Sequence, residues 1–194
     1  MAEFDDLLET LKGAAVALRD ANVPFLLGGG LAAWARGGPE TAHDLDLMVR
    51  PHDAERALQA LEEAGLRSER PPEDWLYKAW DGDLLVDLIF NPSGGPVDGD
   101  MFERAEELEV QAVRMQVMSL EDVMVTKLLS LREHEVDYES VLEIARALRE
   151  RIDWDDVRRR TRQSPYARAF FFLVEELGVL DRTRVATGRA REAS

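Results

Sequence analysis

Asp44 and Asp46 stand one residue apart in the apolar run DLDLMV, a short distance after Gly28-Gly29-Gly30. Aspartate is a poor strand former, so two in one short apolar run need a reason. In a strand, residues i and i+2 share a face. Both carboxylates then point one way, while Leu45 and Leu47 point into the core. Adjacent carboxylates repel each other and resist burial. A divalent cation relieves both penalties, and Mg²⁺ is held by one or two carboxylates together with substrate phosphates. The alternative is a solvated strand face on which the pair is harmless. Just upstream, Gly29-Gly30 lies between FLL and LAAWA and places bare backbone at a helix N-terminus. Free N–H groups and a partial positive charge there suit a phosphate. The alternative is a tight strand-to-helix turn with no ligand.

The elements that must position these residues follow from the pattern. Residues 3–21 repeat apolar side chains at helical spacing. PFLL reads as a short buried strand, LAAWAR as a short helix stopped by Gly37-Gly38-Pro39, and DLDLMV as a second strand. PHDAERALQALEEAGL reads as a helix with Gly65 near its C-terminal end. WLYKAW and LLVDLIF flank Asp81-Gly82, a hairpin signal, and NPSGGPVDGD is looser. Two short strands are expected at 108–113 and 115–118. From Ser119 the chain turns helical: SLED is a capping-box pattern with Ser119 as N-cap and Asp122 reaching back. Helices are expected at 120–132, 137–150, 154–162 and 165–177, and the tail TGRAREAS is expected to fray. The fold class is α+β: a mixed sheet with flanking helices over 1–118, followed by a helical bundle over 119–194 packed on it.

Two competing phosphate motifs are set aside on geometry. Gly28-x-Gly30-x-x-Ala33 matches a dinucleotide fingerprint. A βαβ crossover, however, needs a helix long enough to return parallel to the first strand, and Gly37-Gly38-Pro39 cuts this one after roughly two turns. No Gly-Lys-Ser or Gly-Lys-Thr follows the glycines, which excludes a Walker loop.

A Gly-Gly pair, a short helix and then D-h-D (h apolar) resembles the DNA polymerase β nucleotidyltransferase superfamily. The resemblance implies that Gly29 and Gly30 contact a nucleoside triphosphate and that Asp44 and Asp46 bind metal. It also implies a third carboxylate from a neighbouring strand. Asp87 in DLLVDLIF supplies one; taken alone, Asp87 reads as an edge residue. The segment VMSLEDVMVTKLLSLREHEVDYESVLEIARAL is similar to that of bacterial minimal and AbiE-type enzymes, in which a capped helix carries a Lys and the next helix opens with Asp. Lys127 then meets the triphosphate and Asp137 sits near the site. The alternatives are a solvated lysine and an aspartate that favours a helix N-terminus. Many relatives have Arg where Glu40 stands and Ser or Thr where Ala42 stands; Thr41 or His43 would have to compensate. The resemblance spans roughly 24–141.

The activity so implied is metal-dependent transfer of a nucleoside monophosphate from an NTP, ATP among them, to an acceptor. Two Mg²⁺ ions are expected on Asp44, Asp46 and Asp87. Composition narrows the setting. The chain has 194 residues, no cysteine and a net charge of -15. A disulfide framework is excluded, and a reducing, cytoplasmic setting without a membrane span is expected. The overall charge argues against a nonspecific nucleic-acid coat. Residues 151–194 nevertheless hold 10 Arg against 7 Asp and Glu. Arg158, Arg159, Arg160 and Arg162 are therefore candidates for an RNA backbone, Arg158 and Arg162 on one helix face. The alternative is a solvated face balancing Asp153, Asp155 and Asp156. The leading expectation is a toxin-like enzyme acting on the tRNA 3′ end, with an antitoxin protein as partner. The alternatives are nucleotidylation of a small molecule such as an antibiotic or of a protein, or a degenerate, non-catalytic nucleotide- or partner-binding module.

Overall fold

The computed structural model describes residues 2–41 and 44–181. Its centre is a seven-stranded mixed sheet. Helix α1 (Ala2–Asp20) leads into β1 (Phe25–Leu27), α2 (Gly29–Ala35) and β2 (Asp44–Val49). After a 3-10 turn at Pro51–Asp53 come α3 (Ala54–Glu63), β3 (Arg67–Glu69), β4 (Leu76–Asp81) and β5 (Leu84–Ile89). Next are α4 (Gly99–Arg104), β6 (Glu106–Val110) and β7 (Val113–Val117). The helical part consists of α5 (Leu120–Ser130), α6 (Glu139–Leu148), α7 (Trp154–Thr161) and α8 (Pro165–Glu176), with a 3-10 turn at Arg149–Arg151. This is the α+β architecture expected, with helices packed on a mixed sheet. No helix of the described residues is long and apolar enough to cross a membrane.

The strand order is β3-β4-β5-β2-β1-β7-β6. Strand β1 is only three residues long, yet it sits near the middle, antiparallel to β2 and parallel to β7. Its residues are apolar and buried, as a central strand requires. Strand β2 runs parallel to β5, so Asp46 pairs with Asp87 and Leu45 with Val86. Alternation then separates the faces: Leu45, Leu47, Val86 and Leu88 are fully buried. Helix α1 packs against β2 and α3, and α3 packs against β4 and β5. Leu7, Leu8, Leu11, Ala15 and Leu18 of α1 are all buried, as their spacing predicts.

Several boundaries differ from the sequence reading. The β4–β5 hairpin turns on Gly82-Asp83 rather than Asp81-Gly82, because Asp81 still pairs with Leu84. Gly82 has φ +59, which suits the first loop position of a type II′ turn. The two later strands lie earlier than expected, at Glu106–Val110 and Val113–Val117. Their turn puts Gln111 and Ala112 at positive φ, so no glycine or asparagine marks it. Short elements β3 and α4 escaped the sequence reading; α4 falls where a loose segment was expected, capped by Asp98 accepting from the Met101 N–H at 3.0 Å. The TGRAREAS tail lies outside the described residues.

The turn into α5 is capped as expected: Ser119 Oγ accepts the Asp122 N–H at 3.1 Å. The Asp122 carboxylate does not complete the expected box. It takes the Ser119 hydroxyl, Arg104 and Arg160 instead. Two guanidiniums outcompete one backbone N–H because charge-assisted bonds are stronger. Arg36, at the end of α2, ties that helix to β7. Its Nε donates to the Met118 carbonyl at 2.9 Å and its Nη2 to the Val117 carbonyl at 3.0 Å. Replacing Arg36 with Met leaves these two carbonyls and the Glu106 carboxylate without their donor, so unfolding free energy in urea should fall by about 3 kcal/mol. A loss within about 0.5 kcal/mol would show that water replaces the guanidinium without cost.

Candidate active site

The turn from β1 into α2 brings Gly29 beside Asp46. The Gly28 N–H donates to the Asp46 carbonyl at 2.9 Å. Gly29 has φ +54, and a Cβ there would fall inside the Asp46 carboxylate. Both the conformation and the contact therefore demand glycine. Gly30 is tight for another reason: a Cβ would lie 2.8 Å from Thr41 Oγ1. Thr41 thus packs under the turn.

Asp44, Asp46 and Asp87 converge. One carboxylate oxygen from each lies within 4.8 Å of the others. The register explains this, since Asp46 and Asp87 are direct partners across the parallel β2–β5 pair and Asp44 is two residues back on the same face. Asp87 is buried, and its Oδ1 has no hydrogen-bond partner among the described residues. An orphaned buried carboxylate oxygen is expensive. Three converging hard oxygens, one of them unsatisfied, suit a divalent cation.

Burial, helped by neighbouring carboxylates, raises the proton affinity of Asp46 and Asp87. Burial chiefly, then Asp44 and Asp87, push the Asp46 carboxyl from 3.8 up to about 7, against the pull of Lys127. Burial and Asp44 push Asp87 up to about 6, opposed by Lys78. Lys78 pairs with Asp87 across β4–β5, so Asp46, Asp87 and Lys78 form one row across three strands.

The triad opens into a cleft of about 820 Å³. Lys127 of α5 and Asp137, ahead of α6, line it together with Gly29. The Asp137 carboxylate also accepts the Glu139 N–H at 2.8 Å, so it orders the start of α6 as well as facing the cleft. Gly30 stands one residue behind the lining. Glu40 is exposed and absent from the lining residues, while Ala42 and His43 lie outside the described residues.

Several lining groups were missed in the sequence. Glu73, Asp74 and Trp75 come from the segment before β4, Asn91 and Ser93 from the loop after β5, and Arg132, Glu135 and Ser140 from around α6. Lys78, which faces Asp87, was missed because the turn expected at Asp81-Gly82 sets a register in which Leu76 faces Asp87 instead. The loop residues had no usable signal, since their position depends on how distant segments pack.

The Arg cluster is arranged differently from the expected shared face of Arg158 and Arg162. Arg158 turns to Glu175 at 2.7 Å and stacks on Phe171. Arg162 lies past the end of α7 and lines a separate cavity with Arg159 and Arg160. Arg162 keeps helical backbone angles as the C-cap of α7, so what sets Arg158 apart is its pairing with Glu175 and Phe171.

The family model described as "Uncharacterised nucleotidyltransferase" matches residues 6–175. Among solved structures, ANT(2″)-Ia in complex with adenylyl-2″-tobramycin is similar at 16% identity with a TM-score of 0.62, covering 84% of this chain and 98% of that one. The solution structure of the same antibiotic-resistance factor is similar at 16% identity with a TM-score of 0.62, covering 88% and 96%. An antigenic nucleotidyltransferase-like protein from Paracoccidioides brasiliensis is similar at 15% identity with a TM-score of 0.51, covering 88% of each chain. No curated protein matches the sequence.

Raised carboxyl pKa values carry a sign. A carboxyl that titrates higher in the folded state stabilises the fold at acid pH, and that stability is lost as pH rises through the folded value. In EDTA, the melting temperature should therefore fall as pH rises from about 4 to about 7, between the ordinary carboxyl value and the raised ones. Asp46→Asn should flatten this slope, and added Mg²⁺ should flatten it in the wild type only. Identical slopes in wild type and variant would show that Asp46 titrates normally.

Proposed function

We propose, for a chain that belongs to the uncharacterised nucleotidyltransferase family, that it moves a nucleoside monophosphate from an NTP to a hydroxyl of a small cationic acceptor. Asp44, Asp46 and Asp87 would hold two Mg²⁺ ions, which supply charge neutralisation at the attacking and leaving oxygens. Gly29 and Gly30 bring backbone close to the triphosphate, and Lys127 pairs with its outer phosphates. We assign Asp87 the acceptor proton, because its buried Oδ1 has no hydrogen-bond partner among the described residues and a carboxylate serves as a general base. The acceptor oxygen then bonds to the α-phosphorus as pyrophosphate leaves. Lys78 keeps Asp87 from being pushed higher.

The charge of the cleft carries the acceptor assignment. Beyond the triad its described lining presents Glu73, Asp74, Glu135 and Asp137 against Lys127 and Arg132. Two divalent cations and the four negative charges of an NTP offset each other, so the loaded cleft keeps its negative excess. That excess attracts an amine-bearing acceptor and repels a phosphodiester backbone. Asp137 is read with the acceptor for the same reason, because a carboxylate beside a triphosphate is repulsive. Trp75, exposed on the rim, offers a ring face to a cation or a sugar. The tRNA 3′ end is the alternative acceptor; of its candidate contacts, Arg158 pairs with Glu175.

The test uses NTP labelled at the α-phosphate with Mg²⁺ and three acceptors: a polyamino sugar, its N-acetylated form and total tRNA. Label should pass to the polyamino sugar with release of pyrophosphate, and poorly to the neutral form. Transfer to tRNA alone would overturn the acceptor assignment and leave nucleotidyl transfer standing. Lys127→Ala should weaken binding of a non-hydrolysable NTP by about 1.5–3 kcal/mol, measured calorimetrically. Glu135→Gln with Asp137→Asn should raise KM for the amine acceptor about tenfold and leave KM for NTP unchanged. Equal KM changes for both substrates would remove these carboxylates from the acceptor side.

A further inference from the structure

A second cavity of about 620 Å³ adjoins the catalytic cleft. Arg159, Arg160, Arg162 and Gln163 line it from the end of α7; Ser93 and Gly94 form the other wall. Ser93 borders both cavities. The loop that carries it packs tightly on α5: Gly94 has φ +113, and a Cβ there would lie 2.8 Å from Leu129 Cδ1. No carboxylate lines this cavity among the described residues. The carboxylates stand behind the arginines instead. Asp122, fully buried, pairs with Arg160 and with Arg104 at 2.9 Å, while Asp156 pairs with Arg159 and with Arg160 at 3.1 Å. Arg160 thus shares both carboxylates, with Arg104 on Asp122 and Arg159 on Asp156.

We propose that this cavity is an anion site, distinct from the catalytic cleft, that takes a small ligand bearing a polyphosphate group. Three guanidiniums line the cavity and no carboxylate does among the described residues, in a protein of net charge -15. Asp122 and Asp156 hold Arg160 with its guanidinium fixed, so little side-chain freedom is lost when a phosphate binds. Planar guanidiniums match phosphate oxygens two at a time. Ser93 and Gln163 add neutral donors beside them. The volume is that of a small-molecule pocket, and its basic lining contrasts with the acidic cleft next door.

The test is calorimetric titration of the full chain with sodium tripolyphosphate in EDTA. Without divalent cations the catalytic triad repels the probe. Wild type should show one saturable site, retained in Asp46→Asn and Lys127→Ala. The exposed pair Arg159→Ala with Arg162→Ala should weaken it about tenfold or more. Gln163→Glu, which places a carboxylate at the rim, should weaken it as well and guards against misfolding of the double variant. No saturable binding in wild type would overturn the proposal. Binding lost in Lys127→Ala and kept in both α7 variants would overturn it too, because the probe would then sit in the catalytic cleft. Displacement of the probe by single-stranded RNA that binds more tightly would replace the small ligand with a nucleic-acid backbone.

Discussion

Three aspartates forced onto one patch of sheet are the constraint from which the rest of the architecture can be read. Asp46 faces Asp87 across a parallel pair, and Asp44 completes the group. Like charges at this spacing raise one another's proton affinity. Left alone, such a cluster weakens the sheet near neutral pH. The scaffold restrains it from two sides. Lys78 stands in the next strand beside Asp87, and Lys127 reaches in from α5 toward Asp46. Gly29 leaves out the side chain that would displace the Asp46 carboxylate. The fold supplies enough positive charge to tolerate the cluster and too little to neutralise it, which is what a cation-binding site needs.

Helix α5 links this site to the back of the molecule. Asp122, near its start, is buried and bound by Arg104 of α4 and Arg160 of α7. Lys127 lies on the same helix and faces the cleft. Removing one partner from a buried charge pair is costly, so the Asp122 network holds α4, α5 and α7 together. The position of Lys127 relative to the triad therefore rests on an ion pair remote from the chemistry. Arg36 does the same for α2, joining the glycine turn to the end of β7 through two carbonyls. Burial of apolar side chains on the other sheet face supports both arrangements.

Local rules made part of this legible. Alternation placed Asp44 and Asp46 on one face, because the strand period is two whatever surrounds it. Apolar spacing gave α1, α3 and the four C-terminal helices to within a few residues. Ser119 declared itself as a cap. The same rules failed wherever a neighbour in space outweighed a neighbour in sequence. Asp122 abandoned its capping role for two guanidiniums. Arg158 and Arg162, expected to act together on one helix face, differ because Glu175 and Phe171 of α8 hold Arg158. Strand β3 is half-exposed and three residues long, too short and polar to show a period.

What the amino-acid order determined by itself was the chemistry of each piece: which residues could ligate a cation, which turn had to be glycine, and where helices begin. These depend on side-chain type and backbone periodicity, both local properties. Tertiary structure decided which pieces meet. The pairing of β2 with β5 put Asp87 beside Asp46, although about forty residues separate them in the chain. The fold brought the segment before β4 and the loop after α5 to one cleft, so that Glu73, Asp74, Glu135 and Asp137 all line it. The end of α7, closing on the Ser93 loop, gathered three arginines into a basic wall. Electrostatic potential sums over distance in space and takes no account of distance along the chain. The sign of each cavity could emerge only once the chain had folded.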